Sequence, residues 1–260
     1  MKLDYQHAHK FSFSKRKNLD FGLHAQGEVE FGFMLSGSCT LTCGNTVETL
    51  RAGDVFVVFP NQPHAYADSD GLVAYLLIVP VKRYLSAYHN ALMKKVPTSP
   101  ILRKGQWDPG LLSLVESGFA DFGFVSESVM QGYLMVIIGK LLEAMQLQEQ
   151  RTGTDETLRR VLAYLNDHYR EGITRKDIAR AVGYNESYVS HLFSDTMHTT
   201  LPEYIHALRI DDACRLLLET DMAVSQIGSQ LGFASIRNFN RVFLKRMGIT
   251  PRQYREQAKK

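Results

Sequence analysis

Polar side chains recur at three- and four-residue intervals in two segments of the C-terminal half of this 260-residue chain. At helical spacing these side chains share one face, opposite the apolar residues between them. The outward positions are Ser187, Ser190, His191, Ile236, Arg237, Asn240 and Arg241. Guanidinium, amide, imidazole and hydroxyl groups pair with the edges of DNA bases in the major groove, and an apolar side chain can contact a thymine methyl group. The pattern therefore indicates two surfaces that could read base edges.

Both segments belong to a unit of two predicted helices that occurs twice. Gly183 aligns with Gly232, 49 positions later, and Phe193 aligns with Phe243, 50 positions later. The second turn is therefore one residue longer. A single unit could be an ordinary helical hairpin, but two related units favour a pair of helix-turn-helix motifs.

Local signals place the ends of the four helices. Predicted N-cap residues are Thr174, Asn185, Ser225 and Ser235. Ala179 and Gly228 are small enough for the two helices of each unit to cross closely. Gly183 and Gly232 supply the backbone freedom that ends the first helix of each unit. Each unit therefore has the start, crossing and stop signals of a helix-turn-helix.

A long helix from Leu201 to Thr220, with Pro202 in its first turn, is predicted between the units. A helix of roughly 19 residues is about 28 Å long, which is close to the roughly 34 Å between successive major grooves on one face of DNA. Residues 156–260 hold 16 Lys and Arg against 12 Asp and Glu, whereas residues 1–155 hold 14 against 15. This modest basic excess supports nucleic-acid binding only because the groove-reading motifs lie in the same half.

The C-terminal segment, residues 156–260, resembles the DNA-binding domain of the AraC family. The residues that carry the resemblance are Gly228, Gly232, Phe233, Phe239, Arg241, Val242, Phe243, Gly248, Ile249, Thr250, Pro251, Tyr254 and Arg255. The resemblance implies an all-α domain of seven helices that reads double-stranded DNA with both motifs. It further implies a transcription activator with RNA polymerase as a partner.

The first unit departs from the residue types that are frequent in this family. His191 and Ser194 stand where Arg and Lys are frequent, so the second unit is expected to contribute more of the base discrimination. Predicted phosphate contacts are Arg209, Lys245, Arg246 and Arg252. Each of these four could equally be a solvated surface charge.

The segment from about Phe21 to Pro80 alternates apolar and polar residues, which is typical of short antiparallel strands. Turns are predicted at residues 36–38, 44–45, 52–54, 60–63 and 69–71. Beside an AraC-type domain, this half resembles a cupin, the jelly-roll barrel that many family members use as a sensor. The expected fold class is α+β, with an N-terminal cupin-like jelly-roll β-barrel and trailing helices before the C-terminal all-α domain.

The cupin resemblance assigns a polar set to the barrel interior, namely His24, Gln26, Glu30, His64 and Tyr66. The first four occupy positions that converge on one ion in metal-dependent cupins. Gln26 exchanges a good histidine ligand for a poor amide, so neither a metal nor another cofactor is expected. We expect a pocket for a small-molecule effector, sugar-like in its hydroxyl groups. Flat apolar surface could come from Phe31, Phe33, Phe56, Phe59 and Tyr75. Alternatively, these aromatic residues only fill the core.

After Pro109 the apolar period becomes helical, with one stripe formed by Leu134, Ile137, Ile138, Leu141, Leu142 and Met145. This stripe either packs on its own barrel or forms the seam of a homodimer. The polar residues 146–155 predict a linker. The expected domains are an effector-binding and dimerisation domain at 1–145 and a DNA-binding domain at 156–260.

The chain lacks a long uncharged apolar run, so we expect a cytoplasmic protein that does not enter membranes. Its cysteines, Cys39, Cys43 and Cys214, have the spacing of core residues. Residues 2–20 could form an arm over the ligand or an irregular terminal strand. We expect no enzyme activity. Two alternatives stay open: a metal-dependent cupin enzyme, and a regulator that a protein partner switches without a small-molecule effector.

Overall fold

The structure, a computed structural model, describes residues 11–44, 46–119, 126–149 and 154–258. The chain divides into two compact units. The described part of the first unit ends at Glu149, and that of the second begins at Thr154. The fold class expected from the sequence is confirmed, since the first unit is rich in strands and the second is helical.

The strands of the first unit are β1 (Ser12–Arg16), β2 (Phe21–His24), β3 (Val29–Cys43), β4 (Thr46–Arg51), β5 (Val55–Val58), β6 (His64–Val79), β7 (Lys95–Pro97), β8 (Ile101–Leu102) and β9 (Leu147–Glu149). Seven strands form one antiparallel sheet in which β1, β6, β3, β5 and β8 are successive neighbours. Strand β2 pairs with β6, β4 pairs with β3, and β7 pairs with β9 separately. The long strands β3 and β6 form the centre of the sheet.

Two of the predicted turns are wrong, because β3 and β6 continue through residues 36–38 and 69–71. The pairing shifts register there instead of ending. Gly37 has φ +69°, and a β-carbon at this position would overlap the backbone of Asp70 and Gly71. The glycine thus allows two long strands to bend past each other, as at a β-bulge.

The helices of the first unit are α1 (Val81–Tyr84), α2 (His89–Lys94), α3 (Gly110–Phe119) and α4 (Glu127–Ala144). Alternate residues of the sheet serve two cores. Phe31 and Phe33 of β3 pack with the helices, whereas Leu41 lies in a second apolar cluster with Phe56 of β5. The second cluster fills the opposite face of the sheet, and Tyr66 of β6 belongs to it.

The six residues of the predicted dimer seam lie in the core between the sheet and the helices: Leu134, Ile137, Ile138, Leu141, Leu142 and Met145. All are at most 9% exposed within the single chain. The prediction of a seam at these residues is therefore wrong, because their apolar surface is already covered by the chain's own sheet and helices. The alternative, packing on the same domain, is confirmed.

The predicted linker is wrong in its first part. Leu147–Glu149 forms strand β9, in which Glu149 pairs with Lys95 of β7. The second unit begins with a helix at Thr154, two residues before the predicted boundary. A three-residue strand is too short to show an alternating pattern against a polar background.

The second unit contains seven helices among its described residues: α5 (Thr154–His168), α6 (Arg175–Val182), α7 (Glu186–Met197), α8 (Leu201–Glu219), α9 (Val224–Gln230), α10 (Ile236–Met247) and α11 (Pro251–Ala258). Helices α6 and α7 form the first helix-turn-helix, and α9 and α10 form the second. The 19-residue helix α8 joins them as predicted.

Three of the four predicted N-caps are confirmed. The side chains of Thr174, Asn185 and Ser235 accept hydrogen bonds from backbone N–H groups of the first turns of α6, α7 and α10. Ser225 is wrong as a cap, since α9 begins one residue earlier and is preceded by Ala223. There the side chain of Gln226 accepts from the Ala223 N–H at 3.1 Å.

The close crossing in the second motif is confirmed at Gly228. A β-carbon at this position would lie 3.1 Å from the ring of Phe239 on α10. All three cysteines are buried, as expected of core residues. None of the helices in the described ranges combines the length and the apolar character that crossing a lipid bilayer requires.

Candidate functional site

Helix α10 separates its core and surface residues cleanly. Phe239, Val242 and Phe243 are buried against the second unit's core. The four predicted base-reading residues, Ile236, Arg237, Asn240 and Arg241, are exposed. The Arg241 Nη2 donates to Asn238 Oδ1 at 2.8 Å, which holds the guanidinium along the helix surface. One face of α10 therefore presents two guanidinium groups, an amide and an apolar side chain to solvent.

Helix α7 presents a smaller polar surface. Ser187 and His191 are exposed and Ser190 is half-buried. These three line a cavity of about 420 Å³ together with Glu186 and Arg175. The Ser190 hydroxyl is buried at this cavity and has no hydrogen-bond partner among the described residues. Arg175, the first residue of α6, is exposed beside the predicted reading residues. It was not predicted from the sequence as a DNA contact. Its place directly after the Thr174 cap was the available signal.

Three of the four predicted phosphate contacts are on the surface. Lys245 is exposed, Arg246 is half-buried, and Arg252 is exposed with its Nε 3.0 Å from Glu256 Oε1. The positive charges on α10 also act on His206 of α8. Burial, reinforced by the charges of Arg209, Arg241 and Lys245, lowers the pKa of His206. The shift favours the neutral form of His206 at the side of α8 that faces α10.

Arg209 is wrong as a phosphate contact, because it is only 7% exposed and its donors are used inside the domain. Its Nε donates to the Tyr169 carbonyl at 2.6 Å, its Nη1 to the Gly232 carbonyl at 2.7 Å and its Nη2 to the Glu171 carbonyl at 2.6 Å. The residue therefore joins the end of α5 to the turn of the second helix-turn-helix.

Asp212, one turn further along α8, continues this internal network. Its Oδ2 accepts from the Tyr169 hydroxyl at 2.9 Å and the Arg170 Nε at 2.8 Å, and its Oδ1 accepts from the Arg215 Nη2 at 2.6 Å. Burial alone would raise the pKa of Asp212, but the bonds from Arg215 and Tyr169 and the charge of Arg170 leave it below its ordinary value. The carboxylate is thus charged, buried and fully partnered.

In the first unit, the structure brings together all five residues of the predicted effector set. His24, Gln26, Glu30, His64 and Tyr66 are each at most 8% exposed. Glu30 lies at the centre: its Oε1 accepts from the Tyr66 hydroxyl at 2.6 Å, and its Oε2 accepts from the Gln26 amide at 2.9 Å. We call these five residues the polar cluster.

The two histidines of the polar cluster have the same orientation. Each Nδ1 lies 2.9 Å from a backbone carbonyl oxygen, that of Gly22 for His24 and that of Gln62 for His64. Since a carbonyl only accepts, each Nδ1 carries a proton, and in a neutral ring the Nε2 keeps a lone pair. Neither Nε2 has a hydrogen-bond partner among the described residues. The rings lie 4.0 Å apart between centroids, and the His64 Nε2 is 3.7 Å from Glu30 Oε2.

Electrostatics fix the charges of this cluster at neutral pH. Burial, with a smaller contribution from His64, lowers the pKa of His24 to about 3. Burial alone would raise the pKa of Glu30, but the neighbouring imidazoles of His64 and His24 and the hydrogen bond from Tyr66 hold it at about 2. Burial raises the pKa of the Tyr66 hydroxyl well above its ordinary value. The cluster therefore combines a neutral imidazole at His24 with a carboxylate.

Three residues of the polar cluster have the donor types of a metal site, and the expectation that no metal binds here stays a prediction. Ligand atoms of His24, Glu30 and His64 all lie within 4.8 Å of one another. Two of these atoms are the buried, unpartnered Nε2 lone pairs, and neutral imidazole nitrogens and carboxylates are ordinary ligands of transition metals. Gln26 donates to Glu30 instead of pointing away from it.

The aromatic residues predicted beside the cluster divide between the two faces of the sheet. Only Phe56 is in the same apolar cluster as Tyr66, with ring centroids 5.4 Å apart. Phe31, Phe33, Phe59 and Tyr75 pack on the helix side, so they are core residues there.

The first unit contains a cavity of about 250 Å³, and no residue of the polar cluster lines it. It is lined by Phe33, Met34, Leu35, Ala52, Gly53, Lys104, Trp107 and Leu112. Its indole donor is already used, since Trp107 Nε1 donates to the Gly53 carbonyl at 2.9 Å. We favour the polar cluster as the candidate effector site of the first unit because, in the described part of that unit, the buried side-chain polar atoms without a hydrogen-bond partner are the Nε2 atoms of His24 and His64.

Both units of the chain are similar to known protein families. Residues 178–257 match a helix-turn-helix domain family, and residues 18–80 match a cupin domain family. The chain is 22% identical over 251 residues to the melibiose operon regulatory protein of Escherichia coli strain K12, covering 90% of this chain and 83% of that protein. It is 21% identical to the HTH-type transcriptional regulator YdiP of the same strain, covering 96% and 86%.

Among solved structures, the unsaturated fatty acid bound wild-type ToxT from Vibrio cholerae strain SCE256 has a TM-score of 0.52 at 16% identity, covering 97% of each chain. This similarity extends the match in fold to both domains. A cupin domain followed by two helix-turn-helix motifs defines a DNA-binding transcription regulator with a separate barrel domain. The chain therefore has the domain composition of the AraC-type transcription regulators to which it is similar.

Proposed function

We propose that this regulator is a ligand-responsive activator that reads DNA bases with α7 and α10. The exposed face of α10, with Arg237, Asn240 and Arg241 beside one another, is the observation that carries the proposal. Arginine pairs with guanine and asparagine with adenine through two hydrogen bonds each, so this face can discriminate bases. RNA polymerase is the partner that an activator would engage.

The two motifs are proposed to contribute unequally. Helix α7 offers two hydroxyl groups and one imidazole, which form weaker contacts than the guanidinium groups of α10. Arg175 adds a positive charge beside α7, where it suits a phosphate contact. Lys245, Arg246 and Arg252 are proposed as phosphate contacts of the second motif, and Arg209 is not.

The length of α8 supports simultaneous reading by both motifs. Its 19 residues correspond to about 28 Å at 1.5 Å per residue. The network around Arg209 and Asp212 makes this connection rigid at its contact with the second motif. Rigid spacing favours operators whose two half-sites lie on one face of the duplex, roughly one helical turn apart.

The polar cluster is proposed to recognise the effector through hydroxyl groups. The unpartnered groups of the cluster accept hydrogen bonds, and hydroxyl groups can supply the donors. A fatty acid, the ligand in the compared ToxT structure, would bring a second carboxylate beside Glu30 and pay a repulsive cost. The melibiose operon regulatory protein, by its name, serves a sugar operon, which agrees with a sugar-like effector.

Because the cluster is buried, a sugar-sized ligand has to displace the groups that cover it. Such a displacement gives the ligand-bound and ligand-free states different structures, which an effector needs to shift an equilibrium. The sequence predicts a homodimer. Its interface would have to use a surface other than the six buried residues between Leu134 and Met145.

In vitro selection of DNA sequences with the full-length protein tests base reading. We expect a preferred operator, and Arg241→Ala should relax the preference at one base position at a cost of about 1–3 kcal/mol. Arg83→Ala in the first unit is the matched control, since it removes an exposed arginine without touching the reading helices. Recovery of no preferred sequence, or equal preferences for wild type and Arg241→Ala, would contradict the proposal.

A thermal-shift panel of sugars, polyols and fatty acids tests the effector class. A ligand that binds only the folded state raises its stability. We expect stabilisation by a hydroxylated member of the panel and its loss in Tyr66→Phe, which keeps the ring and removes the hydroxyl. Stabilisation by fatty acids alone would overturn the proposed class.

A further inference from the structure

We propose that the first unit has a second ligand site, separate from the polar cluster, which binds a small aromatic carboxylate between Trp107 and Lys104. The site is the cavity of about 250 Å³ in this unit. It lies on the helix side of the sheet, where Phe33 packs, whereas Tyr66 of the polar cluster belongs to the core on the opposite side. The inference does not depend on the proposed function, because it involves neither the reading helices nor the polar cluster.

Trp107 supplies a flat wall of the cavity whose position is fixed. The residue is half-buried, and its ring lies 5.5 Å from that of Phe33 between centroids, at an interplanar angle of 71°. The indole Nε1 donates to the Gly53 carbonyl at 2.9 Å, which restrains rotation of the ring. Leu35 and Leu112 add apolar surface beside it. An aromatic ligand can therefore contact the indole at the about 4.5–7 Å between centroids that aromatic pairs prefer.

Lys104 supplies a positive charge at the rim of the same cavity. A β-carbon at Gly53 would lie 2.9 Å from Lys104 Cδ, so the aliphatic part of the lysine lies directly on the Gly53 backbone. The residue is exposed, and its ammonium forms no ion pair within the part of the chain that the structure describes. A lysine whose methylene groups cover apolar surface while its ammonium stays in water is placed to bind an anion beside that surface.

The carboxylates around this lysine are each bound to another cation. Asp54 Oδ2 accepts from Arg103 Nη1 at 2.8 Å, and Glu48 pairs with the same guanidinium. Asp108 Oδ2 lies 3.3 Å from Lys140 Nζ. The ammonium at the rim therefore does not have to leave a protein carboxylate before it can contact the carboxylate of a ligand.

The size and the chemistry of the cavity select the class of ligand. Pockets for drug-sized molecules have volumes of about 300–1,000 Å³, so a cavity of about 250 Å³ suits a molecule with a single ring. The indole donor of Trp107 is already used by Gly53, and the other walls are apolar, so the body of the ligand needs no polar groups. One carboxylate at the Lys104 end completes the match in charge. These features differ from those of the polar cluster, which suits hydroxyl groups.

Intrinsic fluorescence of the full-length protein tests the site directly, because Trp107 is the single tryptophan of the chain. Benzoate is the probe, with excitation at the red edge of the indole absorption, where benzoate does not absorb. We expect a saturable change in emission, half-maximal at or below about 1 mM. Benzamide has the same shape without the charge and should bind about 5- to 10-fold more weakly. No saturable change with benzoate, or equal affinities for the two compounds, would overturn the proposal.

Lys104→Met locates the carboxylate, because it keeps an apolar side chain and removes the charge. It should weaken benzoate binding about 5- to 10-fold and leave benzamide binding unchanged, so that the preference between the two compounds disappears. Lys94→Met removes an exposed lysine of α2 outside the cavity and should keep the wild-type preference. An undiminished preference for benzoate in Lys104→Met would place the carboxylate elsewhere and overturn the assignment. Thermal unfolding without ligand checks that both variants fold, and the wild-type comparison of the two compounds decides if Lys104→Met does not.

Leu112→Phe separates binding inside the cavity from adsorption at the lysine. Leu112 is a half-buried residue of α3 that lines the cavity, and a larger side chain there occupies the space of the ligand ring. We expect loss of the saturable fluorescence change for benzoate and benzamide together, while the variant unfolds near the wild-type temperature. Unchanged binding of both compounds in folded Leu112→Phe would place the ring outside the cavity and overturn the proposal.

Discussion

Arg209 lies over the ring of Phe233, with its guanidinium carbon 5.5 Å from the ring centroid. The same guanidinium donates to the carbonyl of the neighbouring Gly232. An arginine of the long helix α8 thereby fixes the turn from which the reading helix α10 starts. In the sequence Arg209 has the signature of a surface charge and Phe233 that of a core aromatic, but in the structure the two residues contact each other.

Replacing Arg209 with alanine should destabilise the DNA-binding domain. The change removes the donor of three backbone carbonyl groups, of which only that of Tyr169 forms a fully buried hydrogen bond, and hydrogen bonds to charged groups contribute about 1.5–3 kcal/mol each. We expect the free energy of unfolding, measured with urea, to fall by about 3 kcal/mol or more. Lys245→Ala is the control: its stability should stay within about 0.5 kcal/mol, while the salt dependence of DNA binding loses about one unit of slope. If Arg209→Ala instead reduced the salt dependence of DNA binding and left stability unchanged, Arg209 would be a phosphate contact after all.

Asp212→Asn should destabilise the same domain in a pH-dependent manner. The amide leaves Arg170 and Arg215 without their charged partner, and because both arginines are partly exposed the cost at neutral pH should be below the about 3–5 kcal/mol of a fully buried pair. The pKa of Asp212 is lowered in the folded state, so its contribution is complete above the ordinary value of 3.8 and is lost as the pH falls below it. The difference in unfolding free energy between wild type and variant should therefore shrink as the pH falls from about 4 to about 2. A difference that is constant over this range would contradict the ion-pair network.

Two serines of the second motif should respond differently to alanine. Ser235 caps α10 by accepting from the Asn238 N–H at 3.1 Å, so Ser235→Ala should cost about 1 kcal/mol. Ser225 lies inside α9 and forms no cap, so Ser225→Ala should be neutral or slightly stabilising because alanine favours helices. Thermal unfolding of the two variants side by side makes the comparison. Equal losses would place the start of α9 at Ser225.

Two glycines of the first unit should likewise respond differently to replacement by alanine. Gly37 and Gly71 both have positive φ, but only a β-carbon at Gly37 would meet neighbouring backbone; at Gly71 nothing lies within 4 Å. Gly71→Ala should cost about 1–2 kcal/mol from left-handed backbone alone. Gly37→Ala adds a steric overlap with backbone that cannot move aside, so it should cost clearly more in urea unfolding. Similar costs would mean that β3 and β6 can separate at this point.

Much of the second unit could be predicted from the sequence because its signals are local. The caps at Thr174, Asn185 and Ser235 and the crossing at Gly228 each involve residues in one helix-turn-helix. Arg209 could not be predicted, since its acceptors lie 23 to 40 residues away in the chain. An arginine that binds distant carbonyls has the same sequence signature as one that binds phosphate.

The first unit was predicted less completely for a different reason. A glycine with positive φ serves equally in a hairpin turn and in a bent strand, so Gly37 indicated a turn that does not exist. The apolar stripe that includes Leu134 was equally compatible with packing on its own barrel and with packing on a second copy of the chain. The five residues of the polar cluster could be assigned together, but the direction of each histidine depends on carbonyl positions that only the folded backbone supplies.

The buried cysteines have a practical consequence for labelling. Burial raises the pKa of both Cys39 and Cys214 to about 11, so very little reactive thiolate exists at neutral pH. Cys43 is likewise enclosed in the apolar cluster of the barrel. A cysteine introduced at Val47, which is 66% exposed, would therefore react with a maleimide dye far faster than the native thiols. Fluorescent derivatives of this regulator can be prepared without first removing its own cysteines.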